Sequence, residues 1–399
     1  MADTLNFTAV QEALKHLYLP GLCYQLNDKA SPFLAQIERK TENVVGMDII
    51  LAIRYGRVGG IGNRDDDGTL PTPNSRKTKQ AKWETKNIFA RFRITDKVIR
   101  ASRSNVGAFA SMLEQEIADC EADARLDQSR QALGDGTGKL CTISAVAHAA
   151  GVLTLTVDNT MYLADGMLLD VIDASATPNA PLANGAGLEV TLVDDATGQV
   201  QLACANDISA NVQANADYLV VSGNLDRELT GVGAVMDAGT LYGLSRTTYP
   251  WLKAKKFNVN GEISENVMQK YIDLVEIKTA STVGFIQCAH DVRRAYIDLL
   301  NANKQTVNSL ELKGGWKALS YNGIPLSPDK YLPNGTLDLL DLNDWGLYQM
   351  ADWDWMDMDG AMLKQVTNKP AYEATLLKYC DIGCRRPAGQ ARLYGITGH

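Results

Sequence analysis

Residues 104–133 carry the clearest periodicity in the chain. Val106, Phe109, Leu113, Ile117, Cys120 and Ala124 recur at spacings of three and four, with Glu114, Glu121, Arg125 and Asp127 off that stripe. The pattern predicts a helix from Asn105 to about Leu133, roughly 40 Å long, with Ser104 or Asn105 as its cap. A single apolar stripe on so long a helix should lie along the body of a domain. Upstream, "GMDIILAIRYGRV" and "KWETKNIFARFRIT" read as strands rich in Ile, Tyr, Trp and Phe. Between them Gly59–Ala81 is a polar excursion. Arg64 is followed by Asp65, Asp66 and Asp67, then by Arg76, Lys77, Lys79 and Lys82. A hairpin with so polar a tip does not stabilise itself in water. A neighbouring subunit is the economical support, and the acid-then-base order suits complementary patches there.

Past the helix the pattern changes. In residues 141–222, "GVLTLTVD", "GMLLDVID", "GLEVTLVD", "GQVQLACA" and "DYLVVSG" are short strands with turn signals at close spacing and almost no Lys or Arg. They predict a compact all-β module, a small barrel or sandwich, inserted between the helix and a later mixed region. From Gly223 onward, "ENVMQKYIDLVEIKTA" and "AHDVRRAYIDLLNANK" read as helices around a buried strand, "VGFIQCA". "DWDWMDMDGAMLKQV" reads as two strands joined at Asp359-Gly360.

Composition narrows the class. The chain has 399 residues, 45% hydrophobic and 22% charged, with a formal net charge of −8. That length fits two or three domains. The acidic balance argues against tight sequence-independent nucleic-acid binding. No apolar run approaches the ~20 residues of a membrane span, and the N-terminus lacks a signal-peptide pattern. Seven dispersed cysteines fit a reducing compartment.

"LGDGTGKL", Leu133–Leu140, imitates a phosphate-binding loop but fails its spacing. The first glycine of G-x-x-x-x-G-K-[ST] would stand where Leu133 stands, and the magnesium hydroxyl where Leu140 stands. The order of elements fails too, because the helix precedes the loop and strands follow. The expectation is a joint: Gly134 as a left-handed helix cap, Gly136 and Gly138 as the exit, and Gly223 in the return joint "SGNLDREL". The four histidines share no metal spacing, and Cys380 and Cys384 form a lone C-x-x-x-C. "NRDDDG" and "DWDWMDMDG" imitate calcium loops, but Asn74 stands at the twelfth position of the first and Trp355 at the first liganding position of the second. No nucleophile and base pair stands out. The residues thus point to no catalytic site, no metal and no cofactor.

Four stretches, "GTLYGLSRTTYPWLKAK" (239–255), "FIQCAHDVRRAYIDLL" (285–300), "YNGIPLSPDKYLPNGTLDLLD" (321–341) and "IGCRRPAGQARLYGI" (382–396), resemble tailed-bacteriophage major capsid proteins of the Hong Kong 97 (HK97-like) type. The order of parts agrees over nearly the whole chain outside 141–222. The resemblance implies an α+β fold: an N-terminal arm (1–45), an E-loop hairpin and the start of a P-domain (46–103), and a spine helix (104–138). An inserted β domain (139–223) and an A-domain with returning P-domain strands (224–399) complete it.

By the same resemblance, the chain assembles with itself into pentamers and hexamers of an icosahedral shell around double-stranded DNA. The location is the virion, after assembly in the host bacterial cytoplasm. The implied partners are a separate scaffolding protein, a portal and a decoration protein. The E-loop residues Arg57, Arg64, Asp65, Asp66, Asp67, Arg76, Lys77, Lys79 and Lys82 would face a neighbouring subunit, and Arg246, Tyr249 and Trp251 form an A-domain motif. Some members join an E-loop lysine to an asparagine of a neighbour; Lys77, Lys79, Lys82 and Lys86 lie in that region, but no motif fixes a partner. Three rival readings remain: an encapsulin-like compartment shell, a nucleotide-using enzyme at 134–140, and a β module that recognises a cell-surface ligand rather than bracing capsomers.

Overall fold

The computed structural model describes Cys23, Gln25, Leu26 and residues 29–56, 59–73, 75–98, 106–237, 239–279, 281–302, 309–313, 316–357 and 360–397, with the side chains of 106–114 excepted. The chain divides into two compact units. One comprises Met1–Ala132 and Ala234–His399, and the other comprises Leu133–Gly233.

The first unit opens with the short helix α1 (Pro32–Gln36), capped by the Ser31 hydroxyl accepting from the Phe33 amide. Strands β1 (Glu38–Lys40), β2 (Val44–Val45) and β3 (Asp48–Arg54) follow. The stretch 82–95, expected as one strand, is divided at Thr85. β4 (Thr78–Glu84) pairs antiparallel with β3, whereas β5 (Lys86–Thr95) pairs with the late strand at 371–384. Each piece alternates, but the inward positions slip from odd in β4 (Ala81, Trp83) to even in β5 (Ile88, Phe92, Ile94).

Helix α2 (Val106–Leu133) has the expected extent. Ile117 is buried, and Cys120 and Ala124 are half-buried. Its last turn departs from the stripe: Gln128, Ser129, Arg130 and Gln131 are all buried. Ser129, Arg130 and Gln131 find partners locally, whereas both amide atoms of Gln128 are buried without a hydrogen-bond partner among the described residues. Asp127 accepts from Arg130 and Gln131, and the Ser129 hydroxyl donates to the Ala30 carbonyl. Buried polar groups are tolerated when paired in this way.

The second unit is built from β6 (Lys139–Ala149), β7 (Val152–Val157), β8 (Leu168–Asp173), β9 (Ala180–Pro181), β10 (Leu188–Asp194), β11 (Gln199–Ala203) and β12 (Tyr218–Val221). Their order is β10-β11-β7-β6-β12-β8-β9, and β10 also pairs with β8. That last pairing closes six strands into a barrel. Leu153, Leu155, Leu169, Val171, Val200, Leu202 and Leu219 fill the interior at 0% exposure. The exterior is acidic: the unit contains twelve Asp and Glu residues against Lys139 and Arg227.

After α3 (Val232–Met236), β13 (Thr240–Leu241) and β14 (Leu244–Ser245), the first unit resumes as a mixed region. It holds β15 (Lys255–Gly261), α4 (Glu265–Thr279), β16 (Phe285–Cys288), α5 (His290–Ala302), β17 (Ser309–Leu312), β18 (Trp316–Tyr321), β19 (Ile324–Pro328) and β20 (Leu337–Leu340). β21 (Trp345–Trp355), β22 (Lys364–Gln365), β23 (Ala371–Cys384) and β24 (Ala391–Ile396) complete it. One sheet runs β15-β24-β20-β16-β19-β18-β17. The helices bury Met268, Ile272 and Val275 of α4 and Val292, Tyr296 and Leu300 of α5, at helical spacing. Tyr296 donates to the Ser320 carbonyl, and Tyr321 donates to the Glu265 carbonyl, tying both helices to β18.

The second sheet is centred on β23, with β21 and β5 as neighbours. The expected hairpin joined at Asp359-Gly360 is not formed. β21 ends at Trp355, and β22 pairs with Glu373 and Tyr372 of β23 rather than with β21. Asp359 itself lies outside the described residues.

Candidate interface site

The β3–β4 hairpin is two-faced. Ile49, Leu51 and Ile53 point inward, opposite Trp83, Ala81 and Lys79, while Ala52 and Arg54 are exposed. Beyond Arg54 the ladder ends, but the two legs stay side by side. The Tyr55 amide donates to the Lys77 carbonyl. A Cβ added to Gly56 would lie 2.7 Å from Lys77 Cβ, one on Gly60 3.2 Å from Pro73 Cα, and one on Gly62 3.7 Å from Pro71 Cγ. The tip is a turn closed by the Gly68 amide on the Asp65 carbonyl and by Arg64 Nε on the Thr69 carbonyl. Asp66 lies twelve residues beyond Arg54 in the chain, a stretch that spans at most about 40 Å when fully extended.

The root of this finger is aromatic. Tyr55 stacks on Trp251 with centroids 5.0 Å apart, Tyr249 lies beside Trp251 at 5.9 Å, and Lys79 Nζ sits 5.4 Å from the centre of the Tyr249 ring. Trp83 stacks on Tyr242 at 3.9 Å and meets Tyr348 edge-on. The Tyr242 hydroxyl accepts from the Cys384 amide, and its burial pushes the phenol pKa well up. Gly383 leaves the space this cluster needs. A Cβ there would stand 2.6 Å from Tyr348 and 2.9 Å from Trp83. Arg246 is not at the surface of this motif. It is buried at 1% exposure, with its guanidinium donating to the Val235 and Ala234 carbonyls of α3. It therefore pins the β13–β14 turn region to a helix end.

Beside the root lies a cavity of about 690 Å³, whose lining includes Arg54, Tyr55, Trp251, Asp344, Arg385 and Arg386. Arg386 Nε lies 3.8 Å from Asp344, and the same guanidinium donates to Ser281 and the Thr279 carbonyl. Burial raises the Asp344 pKa, and Arg386 opposes that rise.

The residues expected to face a neighbour are thus distributed unevenly. Arg64 closes its own tip, Lys82 pairs with Asp48 at 2.8 Å across the hairpin, and Lys79 rests on Tyr249. Arg57 lies outside the described residues. Asp65, Asp66, Asp67, Arg76 and Lys77 remain exposed on the finger. Sequence reasoning missed Trp83, Tyr242, Tyr348 and the arginine pair at 385–386. The adjacent Gly383, with no turn around it, was the available signal.

The glycine-rich segment is a joint of a different kind from the expected one. Gly134 is not left-handed; Gly136 and Gly138 are, at φ 86° and 83°. Asp135 accepts from the Thr137 amide and hydroxyl, and the Thr137 carbonyl accepts from the Asp226 amide. The Thr137 amide and hydroxyl and the Lys139 amide are thus engaged by side chains of the loop itself. Gly223, at φ 80°, donates to Asp170, whose other oxygen accepts from Gly187. Cys380 and Cys384 are buried in β23, and burial pushes the Cys380 thiol up to about 12. Among the described residues, no group of three or more His, Cys, Asp or Glu side chains could hold a metal ion. No helix among them is long and apolar enough to cross a membrane.

A chain of the cyanophage A-1(L) capsid asymmetric unit superposes with a TM-score of 0.50 over 95% of this chain and 93% of its own, at 11% identity. This is the fold of a phage capsid protein. The capsid of a native GTA particle aligns over 92% of this chain and 90% of its own, at 9% identity and a TM-score of 0.48. The holo-SrpI encapsulin complex from Synechococcus elongatus aligns over 36% of this chain and 55% of its own, at 13% identity and a TM-score of 0.30. No family model and no curated protein matches the sequence.

Proposed function

We propose that the chain is a major capsid protein that assembles with itself, as pentamers and hexamers, into an icosahedral shell around packaged double-stranded DNA. The observation that carries this reading is the finger at 55–77. It runs out from its aromatic root to the Asp65–Gly68 turn, and nearly all of its described side chains are exposed. A two-stranded extension of that kind is marginal alone in water and calls for support from another surface. The whole-chain likeness to a cyanophage capsid chain supports the same reading. On this view the finger is the E-loop, α2 the spine of the P-domain, and the region after α3 the A-domain. The role is structural. The partners are further copies of the chain, a scaffolding protein, a portal and a decoration protein, in a virion assembled in the host cytoplasm. We further propose that the acidic barrel braces capsomers rather than binding a cell-surface ligand.

Sedimentation and negative-stain microscopy of the expressed protein, with its scaffold where needed, test the proposal. Capsomers or closed shells are expected. A monomer that persists under every such condition sinks it. An encapsulin-like compartment would also form shells; a neighbouring cargo-enzyme gene, in place of terminase and portal genes, would favour it.

A further inference from the structure

We propose that the cavity at the hairpin root receives the acidic finger tip of a second copy of this chain. The proposal rests on the shell-forming reading and names the surface on which the finger ends. The cavity sets three guanidinium groups, Arg54, Arg385 and Arg386, against one carboxylate, Asp344. Arg386 is occupied by Asp344, Ser281 and the Thr279 carbonyl. Arg54 and Arg385 are exposed; Arg54 Nε donates to the Gly56 carbonyl, and Arg385 acts on Asp344 and Glu38 through space, but among the described residues neither lies within ion-pair distance of a carboxylate. The site thus has a surplus of two planar donors suited to carboxylate oxygens.

The complementary group is on the same chain, out of its own reach. Asp65, Asp66 and Asp67 are exposed and make no ion pair among the described residues. Their legs lie side by side from Gly56 and Lys77 to the Asp65–Gly68 turn. The adjacent legs hold the tip away from its own root, so the tip that enters the cavity is that of another copy. Apolar groups match as well. Ile61 and Leu70, each 82% exposed, flank the acids. The stacked Tyr55 and Trp251 rings and Pro387 stand on the cavity wall. An apolar flank beside a charged pair is the usual anatomy of an association site. A phosphate backbone is the poorer occupant. It would call for a continuous basic track, whereas this is a bounded cavity with Asp344 on its wall.

The test is a charge exchange in the full chain. Either D65K/D66K/D67K or R54E/R385E should reduce shell yield by about tenfold or more, most strongly at low salt, where screening is weakest. The melting temperature of the subunit should not change. The combined variant should recover toward the wild-type yield. Recovery no better than either parent, or normal assembly of R54E/R385E, overturns the cavity proposal while leaving the shell reading intact. A wild-type chain that never forms capsomers removes both. As a milder check, Arg385→Lys shells treated with a carbodiimide should yield an inter-chain amide between position 385 and Asp65–Asp67. Shells without that cross-link overturn the proposal. So does binding of a double-stranded DNA oligomer that R54E/R385E abolishes while shell yield is unchanged.

Discussion

The barrel strands β7 and β11 and the hairpin strands β3 and β4 share one alternating grammar, yet they end in opposite conditions. In the barrel, Leu153 lies opposite Leu202 and Leu155 opposite Val200, and the β8–β10 pairing leaves the six-stranded ring without an edge. In the hairpin, Leu51 lies opposite Ala81, but among the described residues β4 has β3 as its only neighbour. The legs beyond Arg54 add polar surface and no core. Alternation alone does not decide stability; closure does. One region is complete within the chain, and the other is built to be completed by something else.

The largest expected effect breaks the contrast at the finger. Replacing residues 57–76 with a two-residue turn should leave the subunit folded and eliminate shells. Melting curves and sedimentation check the two halves separately. Shells of normal yield would show that the finger is a passive loop. The next effect tests the other side. Leu202→Ala opens the barrel core, where the side chain has 0% exposure, and should cost about 2–5 kcal/mol, read by denaturant titration of the second unit's transition. The segment Leu133–Gly233 expressed alone should melt cooperatively, because its core is internal. A non-cooperative melt would mean that its closure depends on the first unit.

The same contrast explains what the sequence disclosed. Five barrel strands and the helices α2, α4 and α5 were legible because the strands are short apolar or alternating runs between turn signals and the helices carry apolar positions at spacings of three and four. The partner change at Thr85 was passed over: its trace is a one-residue slip in the alternation, from Ala81 and Trp83 in β4 to Ile88, Phe92 and Ile94 in β5, within a stretch that otherwise reads as one strand. The buried last turn of α2 was hidden because Gln128, Ser129, Arg130 and Gln131 read as surface; Asp127 and the Ala30 and Arg125 carbonyls satisfy Ser129, Arg130 and Gln131, and Gln128 is buried without a partner among the described residues. The cavity was invisible for a different reason. Arg54, Trp251 and Arg385 are far apart in the chain, and no spacing links them. The acidic tip could be read locally; its proposed receptor required the fold.

A smaller effect probes how the finger is held. Gly383→Ala would place a methyl group 2.6 Å from Tyr348 and 2.9 Å from Trp83. Both rings are fixed, Tyr348 at 0% exposure and Trp83 stacked on Tyr242. The expected cost is about 1–3 kcal/mol, with a change in tryptophan fluorescence as the root shifts. If the root aims the finger, shell yield should fall further than stability alone accounts for. A proportional fall would mean that the root contributes only packing.

The smallest effect is expected at Lys139, and its size separates a joint from an active site. The lysine is exposed, and its Nζ stands 5.4 Å from the centre of the Tyr218 ring. Removing that contact in Lys139→Ala should cost at most about 1 kcal/mol. A nucleotide site would respond otherwise, since a lysine beside phosphate supplies charge that nothing else in Leu133–Leu140 replaces. Yet Asp135 already holds the Thr137 amide, and Gly138 packs against the Asn224 carbonyl, 3.0 Å from where its Cβ would be. The loop is closed upon itself in the place where phosphate oxygens would have to enter. Equilibrium dialysis with ATP and GTP should therefore show no saturable binding to either protein. Saturable binding lost with the lysine would turn the joint back into a site.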